Sequence, residues 1–156
     1  MLNWNNLRTI QRALDMAIME PRGLDYASTF EHRKMAALVE LGETANEVRF
    51  FKFWSTKGPS SREVILEELV DILHFVLSLI NAAGDDVGRV TPHVLNVEHA
   101  FMALYRVIPQ YGKGQAFNLA CLFEGLCVAL GYEPQEIEDA YMAKNEVNYR
   151  RQKEGY

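Results

Sequence analysis

The chain reads as an all-α protein: an antiparallel bundle of about six helices in a single domain. Three observations predict this. Apolar residues recur at three- and four-residue spacing through most of the chain, the period of a helix with one buried face. Runs of β-branched residues alternating with a period of two, the mark of a half-buried strand, are missing. Short breaks bearing Gly and Pro divide the chain into helix-length segments, and short connections make successive helices antiparallel neighbours. At 156 residues, one domain is the natural size and can bury a full core without staples.

The elements follow in order. A first helix is expected over about residues 3–20, stopping before Pro21-Arg22-Gly23. A second spans about 27–54 and ends at the break Ser55-Thr56-Lys57-Gly58-Pro59. Ser60 followed by Glu63 has the spacing of a capping box and opens a third helix, which runs to about residue 83. Thr91 then Pro92 predicts a cap and a first-turn proline for a fourth helix, reaching about Tyr111. Gly112 and Gly114 break the chain before a fifth helix, about 115–130, which stops at Gly131. A sixth begins near Pro134 and runs into the tail.

Composition excludes several functions. A net charge of −5 and a pI of about 5.4 argue against nucleic-acid binding, which needs a basic face to release counterions. The richest apolar run, from Leu69 to Ala83, is too short to span a bilayer and is interrupted by Asp71 and His74. No signal-peptide layout opens the chain, so a cytoplasmic location without membrane partners is expected. Cys121 and Cys127 lie six apart on one predicted helix, point to different sides, and read as reduced core residues. His32, His93 and His99 fit no ligand spacing. Gly112-Lys113-Gly114 lacks the glycine spacing and following Ser/Thr of a phosphate loop.

The acidic residues carry the strongest signal. The third helix is nearly all apolar except for Asp71, His74 and Ser78, with Glu67 and Glu68 just upstream. Glu68 and Asp71 sit three apart and share a face. The second helix repeats that spacing in Glu40 and Glu43, with Glu47 a turn further on. One such pair alone is compatible with solvated acids paired to Lys or Arg. Two pairs on facing, mostly apolar helices would repel and be costly to desolvate unless a cation joins them. Oxygen-only donors suit Mg²⁺ or Mn²⁺. A di-iron bundle would need two Glu-x-x-His units, and only Asp71-x-x-His74 comes near one. Such a site favours polyphosphate chemistry, since a triphosphate can approach four carboxylates only through metals.

The residues then become recognisable. Glu40-Leu41-Gly42-Glu43-Thr44-Ala45-Asn46-Glu47, Phe51-Lys52-Phe53-Trp54-Ser55 and Glu67-Glu68-Leu69-Val70-Asp71-Ile72-Leu73-His74-Phe75 resemble the dimeric all-α dUTPases, which belong with the MazG-like pyrophosphohydrolases. The closing run from Lys144-Asn145 through Asn148 and Arg151 to Tyr156 is similar to that family's C-terminal segment. The resemblance implies a homodimer that hydrolyses dUTP to dUMP and pyrophosphate, with dUDP as a second candidate substrate. It implies that Glu40, Glu43, Glu68 and Asp71 hold Mg²⁺, that metal-activated water attacks the α-phosphate, and that Glu40 orients or deprotonates that water. His74 and Phe75 would line the nucleoside pocket, and Gln11, Lys52 and Trp54 are further substrate contacts. Lys144, Asn148 and Arg151 fall on one helical face and, with Tyr156, would grip phosphate oxygens. Two alternatives stand beside this reading. One is a sibling pyrophosphohydrolase for dCTP or another noncanonical nucleotide. The other is a non-catalytic helical-bundle interaction protein.

Overall fold

A computed structural model describes residues 1–155; Tyr156, expected to contact phosphate, lies outside the described residues. Among them are six α-helices and no strand: α1 Trp4–Met19, α2 Tyr26–Val48, α3 Arg62–Ala83, α4 Val97–Val107, α5 Ala116–Ala129 and α6 Pro134–Lys153. Short 3₁₀ turns at Glu20–Arg22 and Ile108–Gln110 extend α1 and α4. No single helix is long and apolar enough to cross a membrane.

The helix starts follow from capping chemistry. Asn3, Asp25, Ser61 and Asn96 each accept a backbone N–H three residues on, which satisfies a donor that has no intrahelical partner. The cap of α3 is thus Ser61, one residue beyond the predicted Ser60. Glu133 and Glu136 form a reciprocal box at the start of α6, ahead of a first-turn proline.

Two boundaries differ from the sequence expectation. α2 stops at Val48 rather than running to about 54, because Arg49 turns into the left-handed region at φ 64°. That conformation is unfavourable for a residue with a Cβ. The Arg49 side chain offsets it by donating to Ser55 Oγ at 2.7 Å and to the Lys57 carbonyl at 3.1 Å. The aromatic run that reads as helix is drawn elsewhere: Phe50 stacks on buried Phe101 at 5.0 Å. α4 starts at Asn96, not at Thr91-Pro92, because the preceding segment crosses α5. The His93 N–H bonds the Cys121 carbonyl at 3.1 Å. A Cβ at Gly125 would lie 2.2 Å from the His93 carbonyl oxygen, so only glycine admits that crossing.

α3 is the centre of the bundle. It is buried along Leu69, Ile72, Leu73, Val76, Leu77, Leu79 and Ile80. α2 packs along it, and α1, α5 and α6 cover its other sides. Phe101 and Leu104 of α4, with Ile108 of the 3₁₀ turn that follows it, are fully buried and belong to the core. Cys121 and Cys127 are free, buried thiols. Trp4 is a packing anchor: its ring meets Phe123 edge-on, and its Nε1–H donates to Glu124 at 2.7 Å.

Candidate active site

The α2–α3 hairpin brings the two acidic stretches together. Glu40, Glu68 and Asp71 each turn a carboxylate oxygen into a group whose members all lie within 4.8 Å of one another. Glu43, one turn beyond Glu40, is exposed and is not part of that trio. It is near enough for its charge to act on both Glu40 and Glu68. Glu47 has a different job. It bonds the Ser60 hydroxyl, and its carbonyl accepts the Ser60 N–H, which ties the connection to the end of α2.

The electrostatics are those of a site short of positive charge. Burial, with repulsion from Asp71, Glu43 and Glu68, pushes Glu40 up to about 7. Burial and neighbouring acids also raise Glu68. Burial raises Asp71 against the pull of Lys144. Lys144 on α6 is the cation that reaches in, at 2.7 Å from Asp71 and 3.0 Å from Glu67. Arg151, two turns along, is exposed and close enough for its charge to lower Asp71. Three half-buried carboxylates facing one ammonium carry excess negative charge, and an all-oxygen donor set fits a hard divalent cation. The residues therefore fit the metal implied by their spacing.

Beside this cluster lies a cavity of about 180 Å³, whose lining includes Gln11, Asp15, Arg33, His74, Phe75 and Asn148. Four of these residues, Gln11, His74, Phe75 and Asn148, were expected at the substrate. Gln11 and His74 are buried and bonded to each other, Gln11 Oε1 to His74 Nδ1 at 2.7 Å. Burial, with the nearby Lys144 charge, lowers His74 to about 3, so the ring is neutral. It stacks on Tyr141 at 4.5 Å. Lys52 and Trp54 are not in this lining. They sit on the α2–α3 connection, where Lys52 bonds Asn46 and Trp54 packs edge-on against Phe51 and Phe53 while largely exposed.

Asp15, Arg33 and Ser78 line the cavity, and Tyr141 stacks on His74 and donates to Gln11 Oε1; sequence reasoning assigned none of the four. The Asp15 carboxylate accepts from Gln11 Nε2 (2.9 Å), Ser78 Oγ (2.8 Å) and Tyr26 OH (2.9 Å), and Ser78 in turn accepts from Arg33 Nε at 2.7 Å. Burial raises Asp15; its bonds from Gln11 and Ser78 and the Arg33 charge oppose that rise. A signal for them existed: Gln11 and Asp15 are four apart on an otherwise apolar face, and Ser78 interrupts the most apolar helix.

The all-helical bundle carries a carboxylate trio beside a cavity of about 180 Å³, a layout suited to a hard cation and a phosphorylated ligand. A family model described as dUTPase matches residues 3–156, and the chain belongs to that family. It is a dUTP diphosphatase, of a kind that needs a divalent metal. The alternative of a non-catalytic bundle falls with that membership. No curated protein matches the chain.

Proposed function

We propose that the enzyme hydrolyses dUTP to dUMP and pyrophosphate with Mg²⁺, or Mn²⁺ in its place, held by Glu40, Glu68 and Asp71, with Glu43 completing the acidic set. The observation that carries this reading is the approach of the three carboxylates to within 4.8 Å. When bound, the cation neutralises polyphosphate charge and supplies Lewis-acid activation of the hydrolysis.

The chain's own groups do the rest. Glu40, which burial and the neighbouring acids push up to about 7 without a cation, is the group assigned to orient the attacking water or take its proton. Lys144, Asn148 and Arg151 line one face of α6 and bind the phosphates. The ion pair of Lys144 with Asp71 supports this, because it sets the basic face of α6 beside the acidic cluster. His74, Phe75 and Gln11 hold the nucleoside. Trp54 and Lys52, on the exposed connection and outside the cavity lining, make only local contacts that lend a substrate role no support. The enzyme works as a homodimer; Met35 and Val39 are exposed apolar residues of α2 that a second copy would cover.

The test is a panel of dUTP, dUDP, dCTP and dTTP with released pyrophosphate and phosphate measured, with and without Mg²⁺. Turnover confined to dUTP and dUDP, and abolished by chelator, is expected. Undiminished turnover in chelator would overturn the metal role.

A further inference from the structure

The cavity contains a line of buried polar groups whose directions are set from one end. Asp15 is 5% exposed, Gln11 3% and His74 5%. The Asp15 carboxylate faces three donors, from Gln11, Ser78 and Tyr26, and the Arg33 guanidinium behind Ser78 favours its charged form, which can only accept. Gln11 must therefore present its NH₂ to Asp15. Its other end, Oε1, is thereby turned toward His74 Nδ1 at 2.7 Å and Tyr141 OH at 2.9 Å. An amide oxygen only accepts, so the single proton of the neutral imidazole must sit on Nδ1. Both assignments follow from the donors and acceptors around them. Nε2 is then a bare lone pair. It is buried, it has no partner among the described residues, and His74 lines the cavity.

We propose that Asp15 is a positioning residue for nucleoside selection: through Gln11 it fixes the His74 tautomer, so that Nε2 accepts a hydrogen from the bound deoxynucleoside. This rests on the reading of the cavity as the nucleoside site. Two atoms of the substrate supply that chemistry, the N3–H of uracil and the 3′-hydroxyl of the sugar. Cytosine has no hydrogen at N3. If Nε2 meets the base, cytosine sets lone pair against lone pair, and a buried polar group left unpaired rejects a near-isostere strongly.

Asp15→Asn tests the relay by inverting it. Ser78 and Tyr26 still donate to the Asn oxygen, whose NH₂ now faces Gln11. The Gln11 amide turns over, its NH₂ meets Nδ1, and the imidazole proton moves to Nε2. In the substrate-free variant, ¹⁵N NMR of the His74 ring is expected to show the Nε2–H form in place of the Nδ1–H form of the parent. KM for dUTP rises roughly 10- to 100-fold, the scale for one mismatched buried hydrogen bond, with kcat changed less. If Nε2 faces the base, dCTP loses less than dUTP and the dUTP/dCTP ratio narrows by about tenfold or more. If it faces the sugar, both nucleotides fall together, and 2′,3′-dideoxyUTP is already a poor substrate of the parent. Retention of the Nδ1–H form, or a tautomer change that leaves KM for dUTP unaltered, overturns the proposal. Should that variant fail to fold, Gln11→Met removes the same relay, and an Nδ1–H preference that persists has the same adverse meaning. Titration of dUMP into the parent separates the premise from the relay. A His74 ring that does not respond removes the nucleoside-site reading, whereas the tautomer comparison in free protein judges the relay by itself.

Discussion

The acidic trio on α2 and α3 and the polar cavity behind it both bury carboxylates, and they treat them in opposite ways. In the trio, Glu40, Glu68 and Asp71 face one another, and a single ammonium, Lys144, reaches in at 2.7 Å from Asp71. In the cavity, Asp15 is more deeply buried, yet three hydrogen-bond donors and a nearby guanidinium surround it. The first region is frustrated until a cation arrives. In the second the carboxylate already has its partners, and what is left open is His74 Nε2, buried without a partner among the described residues. A buried carboxylate is thus no fixed sign of stability or of function; its partners decide.

Removing charge should therefore have opposite consequences in the two regions. The largest effect is expected from Glu68→Gln, which should lower kcat/KM by roughly 100- to 1,000-fold, the scale for losing one preorganised electrostatic group. The metal-free variant should melt no lower than the parent. A variant that keeps full activity, followed by pyrophosphate release, would break the metal assignment. Asp15→Ala should instead destabilise the protein by about 3 kcal/mol in denaturant unfolding, because the groups facing Asp15 lose their acceptor. An unchanged unfolding midpoint would mean that the cavity network adds nothing to the fold.

The smallest effect concerns pH, where the regions again oppose each other. Glu40 rises from 4.5 to about 7 on folding. The folded state then binds the proton more tightly, and stability falls as pH rises through that interval. His74 drops from 6.5 to about 3. Its unfolded state takes up the proton first, so stability rises with pH from about 3 to 6.5. Between pH 5 and 6.5 the fall from Glu40, to which the raised Glu68, Asp71 and Asp15 add in the same sense, opposes the His74 rise in metal-free protein, and above 6.5 the His74 rise is spent. Saturating Mg²⁺ should remove the Glu40 contribution and tilt the melting temperature upward from pH 5 to 6.5. Glu40→Gln without metal should tilt it the same way, by calorimetry. A pH profile indifferent to both changes would dissolve the contrast.

The two regions also differ in how legible they were. The E-x-x-E and E-x-x-D spacings lie within single helices, and a helix converts such spacing directly into a shared face. Helix identity was legible for the same reason, since the apolar period covers most of the chain. Boundaries were less so. Arg49 ends α2 through bonds to Ser55 and Lys57, and α4 waits for Asn96 because residues 91–95 cross Gly125. Both depend on contacts made by distant or non-periodic residues. Glu43 shows the limit of spacing even on a helix: it shares the register of the set but remains outside the close trio.

By itself, then, the sequence determined an all-helical chain, the acidic pairs and the basic face of α6, because each is a periodic property of one helix. Only the tertiary structure decided that Lys144 would sit on Asp71, 73 residues away. It alone decided that Gln11 would bridge Asp15 to a histidine 63 residues on, with Tyr141 closing from a third helix. Those choices depend on how α1, α3 and α6 pack, and the direction of a buried proton is set by partners that no local spacing can name.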